Sequence, residues 1–160
     1  MAESPYAAIP ARPPSVAEWE DLLVRLEIAP RALRVTLEEA ASGDAEVRGL
    51  VARAVAREAV SQRLVESLRL GETLDPSERG DAVRQEGGTD TTSLLEAFTS
   101  LRMRTFAMAQ RRGVDVWEWE ADHPDGYRVS VYQLFTGMTV DDARLLASLR
   151  ERVRAGRGAC

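Results

Sequence analysis

The two residue types that build most metal and redox sites are almost absent from this 160-residue chain, which has one cysteine, Cys160, and one histidine, His123. A single thiol excludes an internal disulfide. Cys160 reads as an incidental tail thiol, because a chain end is ordinarily loosely held. A single imidazole excludes any mechanism that needs two or three histidines from one chain. Also missing is any run approaching the roughly 18 apolar residues of a transmembrane helix, so no membrane partner is expected. Residues 1–14 have neither the basic nor the apolar stretch of a secretory signal, and a cytoplasmic location is expected by default. Nor is there a strong excess of one charge: 21 basic residues face 26 acidic ones, and the net charge is -5. Acids and arginines interleave along the chain, so the basic face that a nucleic-acid partner requires is lacking. The locally basic run Arg150 to Arg157 reads as a solvated helix end. What remains is 44% hydrophobic and 29% charged, the composition of one globular domain long enough to bury a continuous core.

Four prolines, Pro5, Pro10, Pro13 and Pro14, make residues 1–14 a Pro-rich extended arm rather than a helix. Ser15 followed by Glu18 is a capping-box signature, in which hydroxyl and carboxylate each satisfy an exposed backbone N–H. Behind it Trp19, Leu22, Leu23, Leu26, Leu33 and Leu37 recur at three- and four-residue steps. The pattern predicts one helix over 15–41, kinked near Pro30, or two shorter helices meeting there. Asp44 can cap a second helix, whose apolar side runs through Val47, Leu50, Val51, Ala54, Val55, Val65 and Leu68 to an end near Gly71. Residues 71–90, with four glycines, Pro76 and many charges, read as a long surface crossover. A third helix opens at Asp90 to Thr92 and carries Leu94, Leu95, Phe98, Leu101, Phe106 and Met108. The alternation Val116 to Glu120 suits a short extended segment, and Asp122 to Gly126 is turn chemistry. Ser130 with Gln133 is a second capping box. It opens a final helix with Leu134, Met138, Leu145, Leu149 and Val153 that closes near Gly156. Together these predict an all-α four-helix bundle over 15–156, between the arm and a tail at 157–160. Its long crossover between helices two and three lets the third run parallel to the second, up-down-down-up.

Several of these stretches, taken in order over about residues 15 to 153, resemble the DinB-like (damage-inducible) superfamily. That superfamily includes bacterial mycothiol- and bacillithiol-dependent S-transferases and a mycothiol-dependent isomerase. Leu50 to Glu58 is similar to the family's second-helix segment, which normally reads apolar, apolar, small, His and reaches a Glu five residues after that His. Phe98 and Arg102 match a Phe and Arg common on the third helix. Trp119 through His123 and Pro124, Gly126 and Ser130 to Leu134 resemble the stretch leading into helix four. Asp141 to Leu146 stands where many members have His-Asp-x-x-His-Leu. The resemblance implies the bundle fold and, in related proteins, a divalent metal held by one His on helix two and two on helix four. The corresponding positions here are Arg53, Asp141 and Leu145. Arginine stays protonated and leucine has no donor atom, and Asp141 alone is one ligand where catalytic zinc uses three. No cofactor is expected.

The polar residues Arg53, Glu58, Arg102, Asp141 and Asp142 form a candidate polar core at the former metal site. Glu58 lies on the apolar stripe of its helix, and Asp141 and Asp142 follow Met138 by three and four residues, near the core face. Buried charges require partners, so Arg53 is expected to face Asp141, with Glu58 and Arg102 completing the layer; otherwise some of these point along a helix edge into solvent. His123 reads as a turn residue or hydrogen-bonded imidazole, the alternative being a base or ligand. Trp117 and Trp119 read as cover for the open end of the bundle, the alternative being a stacking platform. Three function classes follow. The first is a metal-free binding, regulatory or structural protein. The second is a thiol-transfer or isomerase-type enzyme. The third is an interaction module using the arm and the crossover. The partner would be a small molecule, a protein or a second copy of the chain.

Overall fold

Caps and apolar periodicity account for each helix of the computed structural model, which describes residues 3–40, 43–70, 90–111, 116, 119–123 and 125–158. Trp117, Cys160 and the crossover at 71–89 lie outside the described residues.

Helix α1 spans Val16–Glu38 and α2 Ala45–Leu70; α3 spans Thr91–Arg111 and α4 Val131–Gly158. Ser15 is extended, and its hydroxyl accepts the Glu18 N–H at 3.2 Å. That hydroxyl also donates to Glu18 Oε2 at 3.1 Å, so the carboxylate engages the capping side chain rather than the expected Ser15 backbone N–H. Asp44 Oδ1 accepts from the N–H groups of Glu46 at 2.9 Å and Val47 at 3.2 Å. Asp90 caps α3 through the Ser93 N–H at 2.8 Å. The Ser130 and Gln133 box is closed in both directions, at 3.1 Å and 3.0 Å. Of the two readings at Pro30, the single helix holds: Pro30 is buried inside α1.

Between α3 and α4 the expected extended segment at 116–120 is described only at Val116, Trp119 and Glu120, and of these Glu120 lies in a strand. Strand β1 is Glu120–Asp122, antiparallel to β2, Arg128–Ser130, with Ala121 opposite Val129. Its turn fixes the register: the Gly126 N–H reaches His123 O at 2.9 Å, and Gly126 has φ +88°, a conformation that disfavours any Cβ. Helix α4 passes the expected stop at Gly156, because an open glycine without positive φ does not end a helix by itself. The arm is not an extended appendage either. Residues 4–9 turn back on themselves, and the Gln133 side chain donates to Ile9 O at 2.8 Å.

The buried side chains form two clusters. One joins Trp19, Leu22 and Leu26 of α1 with Leu64 and Val65 of α2, Ala109 of α3 and Val131 to Met138 of α4. The other joins Leu33 of α1 with Val47 to Ala59 of α2, Leu94 to Leu101 of α3 and Leu145 and Leu149 of α4. The starts of α2 and α3 therefore share one cluster with the ends of α1 and α4. Helices α2 and α3 run one way, and α1 and α4 the other. Trp19 stacks on Phe135 with ring centroids 5.7 Å apart. Among the described residues, no helix is long and apolar enough to cross a membrane.

Candidate functional site

The two clusters meet at a layer that is charged rather than apolar. Its centre is Arg102, 1% exposed, which follows Phe98 by one turn of α3 and lies over that ring at 4.9 Å. Glu58 of α2, 3% exposed, accepts from Arg102 Nε at 2.7 Å and Nη2 at 2.9 Å. Asp142 of α4 accepts from Nη1 at 2.9 Å and Nη2 at 3.0 Å. Both are two-pronged contacts of the kind a planar guanidinium favours. The remaining donor, on Nη1, reaches the Leu26 carbonyl of α1 at 3.1 Å. In a regular helix that carbonyl accepts from the N–H four residues on. Four residues on is Pro30, which has none, so the proline opens an acceptor and Arg102 closes it. All five guanidinium N–H groups are engaged. No buried side-chain N or O among the described residues lacks a partner.

Two carboxylates share one cation here, and the electrostatics follow. Burial pushes the Glu58 carboxyl up; hydrogen bonds and attraction from Arg102 offset this in part, and Asp142 adds to the rise. Burial opposes the charge of Arg102, but Glu58 and then Asp142 outweigh it and hold the guanidinium above its ordinary value. It is a fixed cation.

Three of the five expected polar-core residues thus converge, and two do not. Arg53 is exposed, on a face of α2 turned away from the core side that carries Val51, Ala54 and Glu58. The expected Arg53 to Asp141 pair does not form. Asp141 is 39% exposed and faces Arg57, one turn beyond Arg53, at 3.9 Å, with Arg144 also at 3.9 Å. The acid that enters the layer is its neighbour Asp142, which continues the buried seam Met138, Leu145, Leu149 at four- and three-residue steps. Leu145 is buried apolar core. Among the described residues, no group of three His, Cys, Asp or Glu side chains could hold a metal.

Beside the layer, between α2 and α4, lies a cleft of about 280 Å³ bordered by Tyr6, Arg57, Ser61, His123, Tyr127 and Asp141. His123 stacks on Tyr127 with centroids 4.4 Å apart and planes 8° from parallel. Its Nδ1 accepts the Asp125 N–H at 3.1 Å, so a neutral ring carries its proton on Nε2. Tyr6 meets Tyr127 edge-on at 6.1 Å, and its hydroxyl pKa is raised by burial, then by Asp141 and Asp125. Trp119 packs half-buried against the first cluster as cover. A wider hollow of about 650 Å³ at the opposite end of the bundle holds no member of the charged layer. Sequence reasoning passed over Arg57, Tyr6 and Tyr127. Arg57 was visible as the next helical turn after Arg53, and Pro30 as a missing donor, whereas nothing local marked Tyr6. Comparison with protein-family models, with curated proteins and with solved structures finds no match to this chain.

Proposed function

We propose that the chain is a DinB-like bundle that works without a metal, as a binding, regulatory or structural protein of the cytoplasm. The observation that carries the reading is the buried Arg102 guanidinium, whose five N–H groups are all engaged within the bundle. Glu58 and Asp142 are spent on that cation, and Arg53 and Leu145 offer no metal donor. Purified protein is expected to hold no stoichiometric zinc, nickel or iron and to melt at the same temperature with and without chelator. About one tightly bound metal per chain would overturn the proposal.

A second reading, a thiol-dependent S-transferase or isomerase-type enzyme, draws on the cleft, which gathers an imidazole, a carboxylate and a guanidinium beside two phenol rings. Turnover of an electrophile with any of a panel of low-molecular-weight thiols, above the uncatalysed rate, would favour it over the first.

A further inference from the structure

A helix in a bundle ordinarily presents one apolar stripe to the core; α1 has two. Leu22, Leu26 and Leu33 face inward and are buried, while on the opposite side Val24, Ile28 and Val35 are exposed by 52%, 54% and 52%. At about 100° per residue these three fall within roughly 40° of one another. They are half of the six large apolar side chains exposed among the described residues. With Ala17, Asp21 and Arg31 they make a seam of alternating three- and four-residue steps, the spacing by which two helices pack along their length.

We propose that this seam is the interface of a homodimer in which α1 pairs antiparallel with α1 of a second copy, about a two-fold axis level with Leu26. The seam is self-complementary in that register and in no neighbouring one. Val24 meets the partner's Ile28, Ala17 meets the partner's Val35, and Asp21 meets the partner's Arg31. By symmetry each contact occurs twice, as a closed two-fold assembly requires. Sliding the pair by one heptad the other way would set Asp21 against the partner's Glu38, a like-charge contact that opposes that alternative. Within its own chain Asp21 pairs with Arg25, and Arg31 makes no ion pair with another described residue. The seam from 17 to 35 is about 27 Å long at 1.5 Å per residue. A single helix pair of that length lies at the small end of specific interfaces, so the association is weak and concentration-dependent. The inference is independent of whether the bundle binds metal.

Sedimentation velocity of the full chain from micromolar to near-millimolar protein tests it. Wild type is expected to shift from monomer to dimer, and Ile28→Glu to weaken the dimer by more than about tenfold. Asp21→Arg and Arg31→Asp should each weaken it, while the Asp21→Arg, Arg31→Asp double variant should recover to within about threefold of wild type, since exchanging the charges preserves complementarity. All three positions are exposed, so thermal unfolding followed by circular dichroism should confirm that each variant is folded. A wild type that stays monomeric throughout, a dimer indifferent to Ile28→Glu, or a double variant that does not recover would overturn the proposal.

Discussion

At Arg102 one residue decides what its neighbours can do. Because the guanidinium is buried and permanently charged, removing an acid that faces it costs far more than removing an exposed one. Asp142→Ala is expected to destabilise the protein by about 1–3 kcal/mol, since it leaves two buried guanidinium N–H groups without an acceptor while Glu58 still balances the charge. Asp141→Ala, at a half-exposed position beside two solvent-facing arginines, should cost less than about 1 kcal/mol. Urea unfolding of the two variants side by side checks the contrast, and equal losses would contradict it. Glu58 supplies a pH dependence. Its pKa is higher in the folded chain than the ordinary glutamate value, chiefly through burial. The folded state therefore binds its proton where the unfolded state has released it, and stability falls as pH rises from the ordinary value through the raised one. Glu58→Gln should flatten that decline. The urea midpoint measured against pH reads it directly, and an unchanged slope in the variant would count against the assignment.

Among the elements, α4 shows most clearly what a sequence makes legible. Its start was readable because Ser130 and Gln133 satisfy each other locally, and its buried face because Met138, Leu145 and Leu149 repeat at helical spacing. Asp142 belongs to that same repeat, which is why it could be placed near the core. The partner chosen for the layer on α2 was wrong, because Arg53 lies off the stripe and only its phase could show it. Alternation over five residues marks extended chain, whereas the hairpin is fixed by the turn at Gly126 and the pairing of Glu120 with Ser130. The docking of the arm was not legible at all. It depends on Gly137, where a Cβ would collide with the Tyr6 ring, a contact between segments far apart in sequence. Gly137 is in the interior of α4, where alanine normally stabilises by about 0.5–1 kcal/mol. Gly137→Ala should give that gain in a Tyr6→Ala background and lose it when Tyr6 is present. The four-way cycle of melting temperatures would reveal the coupling, and additive effects would show that the ring does not depend on the glycine.

Across the whole molecule, all four helices contribute to one charged layer that separates two apolar clusters: Glu58 from α2, Arg102 from α3, Asp142 from α4 and the Leu26 carbonyl from α1. The bundle was foreseeable from four amphipathic stretches, Glu58 and Asp142 from charges near apolar faces, and Arg102 from the resemblance of the third helix alone. The fourth was not, because a backbone carbonyl carries no sequence signal of its own; the signal was the donor missing at Pro30. Replacing Glu58, Arg102 and Asp142 together by Leu, Met and Leu would remove the buried charges, an exchange that is often neutral or stabilising in other proteins. Here it leaves the Leu26 carbonyl buried without a donor, a cost of about 1–3 kcal/mol. Pro30→Ala restores an N–H four residues on and lets the helix close that bond itself. The proline substitution should therefore stabilise the triple variant by at least about 1 kcal/mol more than it stabilises wild type, where Arg102 already holds the carbonyl. Urea unfolding of the four proteins measures the difference. Equal gains in both backgrounds would mean that the Arg102 to Leu26 contact contributes nothing, and that the layer is held by its carboxylates alone.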